Sequence, residues 1–204
     1  MTASSSASTP PTRTVTTRRR GTELSQAIYR ATLEELAATS FEELSFEKIA
    51  PKAGTGKSVL YRRWSTTAEL VLAALKDHEA GLGKPLIPDT GTLRGDLLVL
   101  LIAFARVLDE PRGRALRPLL TQRPRHPELF AQVMDQVVLP HQAVLLDCMR
   151  TAVERGQASP ERATARTAAI GPRLIVAESI DRGTVTDSEV EAVVDLVILP
   201  LLAR

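Results

Sequence analysis

The sequence predicts an all-α protein, and three observations support that fold class. Strong helix formers such as Ala, Leu, Glu and Arg are abundant among the 204 residues,. Val, Ile and Thr do not recur in the period-2 alternation that marks half-buried strands. Apolar residues instead recur at helical spacing in successive segments separated by Gly and Pro. We therefore expect about nine helices and no strand, with a small helical head preceding a larger helical body.

Composition limits the class of protein. Hydrophobic residues make up 44% of the chain and charged residues 25%, as in a soluble globular protein. A single cysteine, Cys148, cannot form an internal disulfide,. No apolar run reaches the ~18 residues of a membrane span, and the amino terminus has no apolar signal core. We expect a cytoplasmic protein with no membrane partner.

Charge is distributed unevenly although the net charge is only +2. Residues 13–20 carry four arginines and no acid, and residues 48–63 carry five basic side chains and no acid. Two basic clusters near one end of a chain are typical of a surface that binds a polyanion, and solvated helix faces are the alternative that charge alone leaves open.

The head is predicted element by element. Residues 1–20 are a polar, basic arm with too little apolar surface to fold alone. The first helix covers about 22–39. Ser45 is a suitable N-cap for the second helix, which Gly54 ends, and Pro51 inside it should weaken or bend it. The third helix covers about 57–63, and Thr66 with Glu69 forms a capping box that opens the fourth.

The segment 81–91, GLGKPLIPDTG, is rich in helix breakers and predicts a linker between a head at 21–80 and a body at 81–204. In the body we expect helices over 92–109, 112–121 and 127–155, the last kinked at Pro140. Ser159-Pro160-Glu161 predicts the start of a helix that reaches 181 and is interrupted at Gly171-Pro172. Thr186 with Glu189 predicts a second capping box, which opens the last helix.

Residues 53–58, AGTGKS, raise the possibility of a phosphate-binding loop. That loop needs a glycine five positions before Gly56 and a buried strand in front of it, whereas Pro51 occupies that position and the preceding residues have helical spacing. A nucleotide-binding enzyme is therefore disfavoured, although ATP or GTP binding would test it.

A helix-turn-helix fits the same residues better. Two short helices are joined by a Gly-containing turn at 54–56, within a basic stretch. On the third helix Gly56, Leu60 and Trp64 should face the core. The opposite side would carry residues that can reach base edges and phosphates in a major groove, namely Lys57, Ser58, Tyr61 and Arg62, flanked by Val59 and Arg63.

The run IAPKAGTGKSVLYRRWSTTAELV, residues 49–71, closely resembles the DNA-binding head of TetR-family regulators. The family pattern is I-A-x-x-A-G-(V/T)-(S/G)-x-x-x-(L/I)-Y-x-(H/R)-(F/W), and the resemblance extends over residues 22–80. It implies a ligand-responsive, sequence-specific DNA-binding regulator, most simply a repressor that a small molecule releases from a palindromic operator. It also implies a homodimer, because the family binds DNA as dimers.

The resemblance assigns DNA-contacting roles by position. Tyr61 matches the DNA-facing tyrosine of the family, Arg63 stands where a phosphate-contacting histidine is common, and Ser45 caps a helix whose amino end usually meets a phosphate. Thr67 replaces a lysine that reaches a phosphate in the family, and the basic arm would compensate. The candidate DNA-binding residues are Arg18, Arg19, Arg20, Ser45, Lys57, Ser58, Val59, Tyr61, Arg62, Arg63 and Thr67.

The body supplies two further candidate sites. An effector pocket would lie among the helices of 92–155, lined by Leu97, Leu101, Phe104, Met134, Val137, His141, Leu145 and Cys148. Aromatic residues are scarce there, which favours a mainly aliphatic effector. The apolar stripe of the last helix and its neighbour would form the dimer interface through Ala168, Ile175, Val190, Val193, Val194, Val197, Ile198 and Leu201. Packing within its own chain is the alternative for that stripe.

The sequence contains no catalytic constellation that we can identify. His78, His126 and His141 lack the close spacing of metal ligands, and Cys148 has no nearby base. We expect a protein that is not an enzyme and needs no cofactor. The alternative from another class is a helical interaction module whose head has lost DNA binding, suggested by Pro51 and Thr67.

Overall fold

Helices joined by turns and loops build the described chain, which in this computed structural model comprises residues 21–84, 87–121 and 124–203. Within those ranges there is no strand and every regular element is helical, which confirms the predicted all-α class. The arginines of the predicted basic arm, Arg18, Arg19 and Arg20, lie outside the described residues.

Four helices form the head. They are α1 (Thr22–Ala38), α2 (Phe46–Lys52), α3 (Lys57–Arg63) and α4 (Thr67–Lys76). The Ser45 hydroxyl oxygen accepts the Lys48 amide at 3.3 Å, so the predicted N-cap of α2 is confirmed. The predicted capping box of α4 is only half formed. Thr66 accepts the Glu69 amide at 3.1 Å, but the Glu69 carboxylate accepts the Ser65 amide at 2.7 Å, one residue before the N-cap.

The turn between α2 and α3 is a Schellman motif centred on Gly54. Gly54 has a φ of +68°, which an L-residue with a side chain adopts only at a cost,. Its amide donates to the Pro51 carbonyl at 3.0 Å, and the Thr55 amide donates to the Ala50 carbonyl at 3.0 Å,. The helix continues through Pro51 to Lys52. A proline there forfeits one backbone hydrogen bond, but the two Schellman bonds secure the last turn.

The body begins at the predicted 92–109 segment and contains nine further helices. They are α5 (Leu93–Asp109), α6 (Pro111–Arg114), α7 (Leu116–Thr121), α8 (Pro127–Val133), α9 (Leu139–Glu154), α10 (Ala165–Ala168), α11 (Ile170–Arg182), α12 (Asp187–Val193) and α13 (Leu199–Leu202). The Thr186–Glu189 capping box that opens α12 is confirmed in full. Among the described residues, no helix is both long enough and apolar enough to cross a membrane.

Two π-helical turns interrupt the body helices, and both lead into a Leu-Pro pair. Met134–Val138 joins α8 to α9 at Pro140, and Val194–Ile198 joins α12 to α13 at Pro200. Proline removes an amide donor, and its ring crowds the carbonyl four residues earlier. A wider turn lets the helix pass the ring without ending. The sequence predicted a distortion at Pro140 but not the matching one at Pro200.

The helix expected to start at Ser159 starts later. The amides of Arg162 and Ala163 both donate to the Ser159 carbonyl, at 3.2 Å each, so the predicted N-cap opens a single turn that does not continue. Thr164 is the N-cap that works, accepting the Thr167 amide at 3.2 Å, and α10 begins at Ala165. The predicted N-cap was therefore wrong by five residues, because Thr164, a second capping residue, lies downstream.

The buried side chains form two cores, and the first crosses from the head into the body. It combines the inner faces of α1 to α4 with side chains that follow the linker, namely Ala115, Leu116, Leu119, Leu129, Val133 and Val137. The second core joins α5, α9 and the helices from α10 to α13. At Gly171 an added Cβ would lie 2.8 Å from a methyl of Ile198 and 3.1 Å from one of Leu101. The glycine therefore permits the close approach of α11 to its neighbours.

Candidate DNA-binding surface

Helix α3 presents a polar face to solvent because its apolar residues anchor it to the head. Leu60 is fully buried and Trp64, which follows the helix, is 8% exposed. The Trp64 ring meets the Tyr29 ring edge-on at 5.9 Å between centroids. The opposite side is exposed, and we call it the recognition surface: Lys57, Ser58, Tyr61, Arg62 and Arg63.

Two neighbouring positions differ from the sequence prediction. Gly56 was expected to face the core, but it is exposed, and an added Cβ would meet only the Ser58 hydroxyl at 3.8 Å. It lies before the helix as its N-cap, so helical spacing does not apply to it. Val59 is half-buried against the first core, so only part of its side chain faces outward.

Tyr61 projects from the recognition surface with 54% of its area exposed. Its ring packs edge-on against Phe46 of α2, with 4.8 Å between centroids and an interplanar angle of 84°. The hydroxyl donates to Glu47 Oε1 at 3.2 Å. The Glu47 charge and this hydrogen bond raise the pKa of Tyr61, which keeps the phenol protonated and able to donate.

Glu47 is a member of this surface that the sequence analysis did not select. Its Oε1 lies 3.7 Å from the Lys57 Nζ as well as 3.2 Å from the Tyr61 hydroxyl. Its own backbone amide, Tyr61 and Lys57 lower the pKa of the carboxyl group. A helix-turn-helix brings the first turn of α2 beside α3, and that geometry is the signal that could have identified Glu47.

The remaining predicted DNA contacts surround α3. The Arg63 guanidinium lies 4.6 Å above the centre of the Trp64 ring and donates to the Ser25 hydroxyl of α1 at 2.8 Å. Arg63 is therefore held at the seam between α1 and α3. Ser45 and Thr67 are half-buried, at the start of α2 and the first residue of α4.

The predicted effector-pocket residues divide between the two cores. Leu97, Leu101 and Leu145 belong to the second core, with Phe104 packed against it, whereas Val137 belongs to the first. The remaining three are half-buried or buried on the same helical segment, namely Met134, His141 and Cys148. A pocket lined by all eight would have to open between those cores, so it stays a prediction.

Cys148 is not a reactive thiol, and the His, Cys, Asp and Glu side chains of the described chain do not form a metal-binding site. Burial, followed by the charges of Asp96 and Asp147, raises the pKa of the Cys148 thiol to about 11. The thiol is consequently protonated at neutral pH and is a poor nucleophile. Across the described part of the chain, no group of three or more His, Cys, Asp or Glu side chains is arranged to hold a metal ion.

The predicted dimer stripe is largely internal. Five of its eight residues are at most 1% exposed and pack in the second core of their own chain, namely Ala168, Ile175, Val190, Val194 and Ile198. These five side chains pack within their own chain and cannot contact a partner without unpacking, and the dimer interface itself stays a prediction. Val193 and Val197 are half-buried and Leu201 is 41% exposed.

The outer side of the same helices is also apolar. Leu196 is 76% exposed and Ile180 52% exposed. A concavity of about 280 Å³ lies between α11 and the last helical stretch, which runs from α12 through the π turn to α13 (residues 187–202). Val193, Leu196 and Val197 lie along one of its walls. These outward residues are the part of the region that is available to a second chain.

Comparison with known families assigns the chain. A model described as "Bacterial regulatory proteins, tetR family" matches residues 28–74. A second, described as "Tetracyclin repressor-like, C-terminal domain", matches residues 87–202, more than half of the chain. The chain belongs to the TetR family. The resemblance carried by residues 49–71 is thereby confirmed, and AGTGKS is the turn of a helix-turn-helix and the start of its second helix.

Individual TetR-family relatives agree. An uncharacterised HTH-type transcriptional regulator of Mycobacterium tuberculosis is 32% identical over 174 residues, which cover 85% of each chain. The DNA-binding transcriptional repressor TetR of Mycobacteroides abscessus is 31% identical over 131 residues, 64% of this chain and 60% of that one. The crystal structure of the TetR family transcription regulator SCO0332 superposes with a TM-score of 0.62 at 26% identity, over 89% of this chain and all of that one.

Proposed function

We propose that this TetR-family regulator is a homodimeric repressor that binds a palindromic operator and is released from it by a small molecule. The observation that supports this most strongly is the recognition surface on α3, which is exposed while Leu60 and Trp64 fix the helix to the head. A helix held in that way can enter a major groove without losing its packing.

Within the proposed complex, Lys57, Ser58, Tyr61 and Arg62 would face the base edges and the adjacent phosphates. Arg63, Ser45 and Thr67 surround that face and would contact the backbone. Thr67 offers a neutral hydroxyl where a lysine is usual in the family, so we assign the missing charge to Arg18, Arg19 and Arg20 of the amino-terminal arm.

Dimerisation would place two heads on one operator. Half-sites read by two helices of a twofold dimer lie about 34–36 Å apart, one turn of DNA. We assign the dimer contact to the outward apolar residues of α11 and the last helical stretch, namely Ile180, Val193, Leu196, Val197 and Leu201. The inward-facing members of that stretch hold it against α5.

Release by an effector requires that the body reposition the heads, and the packing between them supports such coupling. The first core contains side chains of the head helices and of α8 in one continuous cluster. Polar contacts reinforce it, because Lys76 Nζ donates to Gln136 at 2.9 Å and Arg112 donates to the Gly81 carbonyl at 3.0 Å. An effector that favours another arrangement of α8 and α9 would lower operator affinity by a coupling free energy of ~1–3 kcal/mol.

The effector we expect is small and mainly aliphatic, since the candidate pocket residues of α5 and α9 are chiefly aliphatic. The protein would act in the cytoplasm, without a cofactor and without enzymatic activity. The competing hypothesis is a helical interaction module whose head no longer binds DNA. The observation that suggests it is Thr67, where the family usually has a lysine.

Binding to genomic DNA fragments tests the proposal. Wild-type protein should retain a few fragments in a salt-sensitive manner, and Tyr61→Ala should lose them while keeping the same oligomeric state and unfolding transition. Retention of no fragment by well-folded wild-type protein would contradict the proposal and favour the interaction module. Equal retention by Tyr61→Ala would show that α3 is not the reading element.

A further inference from the structure

An acidic side chain, Glu47, lies within the otherwise basic and hydroxyl-bearing recognition surface. One carboxylate oxygen, Oε1, is 3.2 Å from the Tyr61 hydroxyl and 3.7 Å from the Lys57 ammonium. Both partners belong to the side of α3 that would face DNA. That oxygen therefore accepts a hydrogen bond from Tyr61 and forms an ion pair with Lys57, two groups that a phosphate or a base edge would need.

The carboxyl group of Glu47 and the phenol of Tyr61 are in the protonation states that this hydrogen bond requires. The backbone amide of Glu47, with Tyr61 and Lys57, lowers the pKa of the carboxyl group, so it is ionised at neutral pH. The carboxylate raises the pKa of Tyr61, so the phenol keeps its proton and donates. The Phe46 ring packs edge-on against the Tyr61 ring, 4.8 Å between centroids, and so restricts the movement of the Tyr61 side chain away from Glu47.

A DNA phosphate and the Glu47 carboxylate compete for the same donors and repel one another at short range. Binding to random DNA depends almost wholly on phosphate contacts. Operator binding adds contacts to base edges, and these contacts carry the sequence information that phosphate contacts lack. A carboxylate that withholds Lys57 and Tyr61 from the backbone thus weakens random binding more than operator binding. It also orders both side chains before binding, which reduces the entropy lost when they meet the correct bases.

We propose, on the basis of the proposed operator binding, that Glu47 is a specificity-determining residue that suppresses binding to random DNA by holding Lys57 and Tyr61. It acts through those two side chains and is a positioning residue for them. Its role differs from that of Lys57 or Arg62, since its removal should strengthen one class of complex instead of weakening all of them.

A matched pair of variants isolates this role. Glu47→Gln removes the carboxylate charge and keeps the side-chain shape. Glu43→Gln removes the same charge from the same head, at an exposed residue that also pairs with one lysine, Lys48, at 3.7 Å. Because both variants make the head less acidic by one charge, the difference between their DNA affinities is free of that general electrostatic effect. Glu47→Asp retains the charge on a shorter side chain and serves as a second control.

The experiment measures the affinity of each full-length variant for a random-sequence duplex and for the operator selected by wild-type protein, over a range of salt concentrations. Relative to Glu43→Gln, we expect Glu47→Gln to bind the random duplex about two- to fivefold more tightly, the range of an exposed ion pair. Its salt dependence should steepen by the equivalent of about one phosphate contact. The ratio of operator to random affinity should fall, and Glu47→Asp should stay close to wild type.

Two results would overturn the assignment. Equal random-duplex affinity and salt dependence for the two glutamine variants, with a selective wild type, would refute the role of Glu47 and leave operator binding intact. Weaker binding of Glu47→Gln to both duplexes would show that the carboxylate contributes to the complex directly. A wild-type protein that selects no operator would refute the proposed function and this inference together.

Discussion

Helix α3 and the last helical stretch differ in how well their apolar sequence pattern predicts which side of the helix is buried. In α3 a narrow apolar row, Leu60 continued by Trp64, faces inward, and the polar remainder is exposed as predicted. In the last helical stretch apolar residues occupy more than one face of the helix. Val190, Val194 and Ile198 turn inward while Leu196 turns outward. A narrow stripe determines which side is buried, whereas a wide one leaves that choice to the helices packed against it.

The largest expected effect comes from the inward face of the last stretch. Ile198→Ala should lower the free energy of unfolding by about 2–5 kcal/mol, because the side chain is 1% exposed and lies against Gly171 and Leu101,. Denaturant unfolding measures the loss. A loss of unfolding free energy no larger than that of a typical surface substitution would contradict the assignment of Ile198 to the core.

The outward face of the same stretch provides the contrast. Leu196→Ala should leave the packing within each chain unchanged and weaken dimerisation by about 1.5–3 kcal/mol, the value of one buried leucine side chain,. Analytical ultracentrifugation over a dilution series measures it. Leu139→Ala, at an exposed leucine of α9, is the matched control. A dimer that is unaffected by Leu196→Ala would remove this face from the interface.

Next in size are the substitutions on the recognition surface. Tyr61→Ala and Lys57→Ala should each cost about 1–3 kcal/mol of operator affinity and leave the unfolding transition in place, because both side chains are exposed,. Lys84→Ala, at an exposed lysine of the linker, is the matched control and should bind the operator like wild type. Losses as large for Lys84→Ala would indicate a charge effect that is not specific to α3.

The smallest effect compares the two glycines of AGTGKS. Gly54→Ala should lower the free energy of unfolding by about 1–2 kcal/mol, because Gly54 has a φ of +68°,. Gly56→Ala should cost less than Gly54→Ala, since the Gly56 φ is −88° and an added Cβ makes only an ordinary contact, 3.8 Å from the Ser58 hydroxyl. Thermal unfolding of the two variants side by side measures the difference. Equal losses would contradict the Schellman turn at Gly54.

Much of the head could be predicted from sequence because its signals are local. The Ser45 cap, the Gly54 stop and the polar face of α3 each depend on residues within one or two turns. Glu47 was missed because its importance arises from packing between two helices, which places it beside Tyr61 and Lys57. Gly56 was assigned wrongly because helical spacing was extended one residue beyond the helix.

The body was predicted less completely because its features depend on contacts distant in sequence. Ser159 and Thr164 are both competent caps, and the packing of α10 on α9 selects the second. The π turn before Pro200 follows the same physics as the one before Pro140, yet apolar spacing alone does not distinguish a π turn from an α turn. The inward face of the last stretch likewise depends on Leu101 and Gly171, about 100 and 30 residues away in the chain.

Selection of bound sequences from a pool of random DNA duplexes tests the central claim, that α3 reads an operator as part of a dimer. Wild-type protein should enrich a twofold-symmetric sequence whose half-sites have centres about 10–10.5 base pairs apart, or a multiple of that spacing. Tyr61→Ala, passed through the same selection, should enrich no such sequence. Failure of folded wild-type protein to enrich any sequence, or enrichment of the same sequence by Tyr61→Ala, would contradict the account.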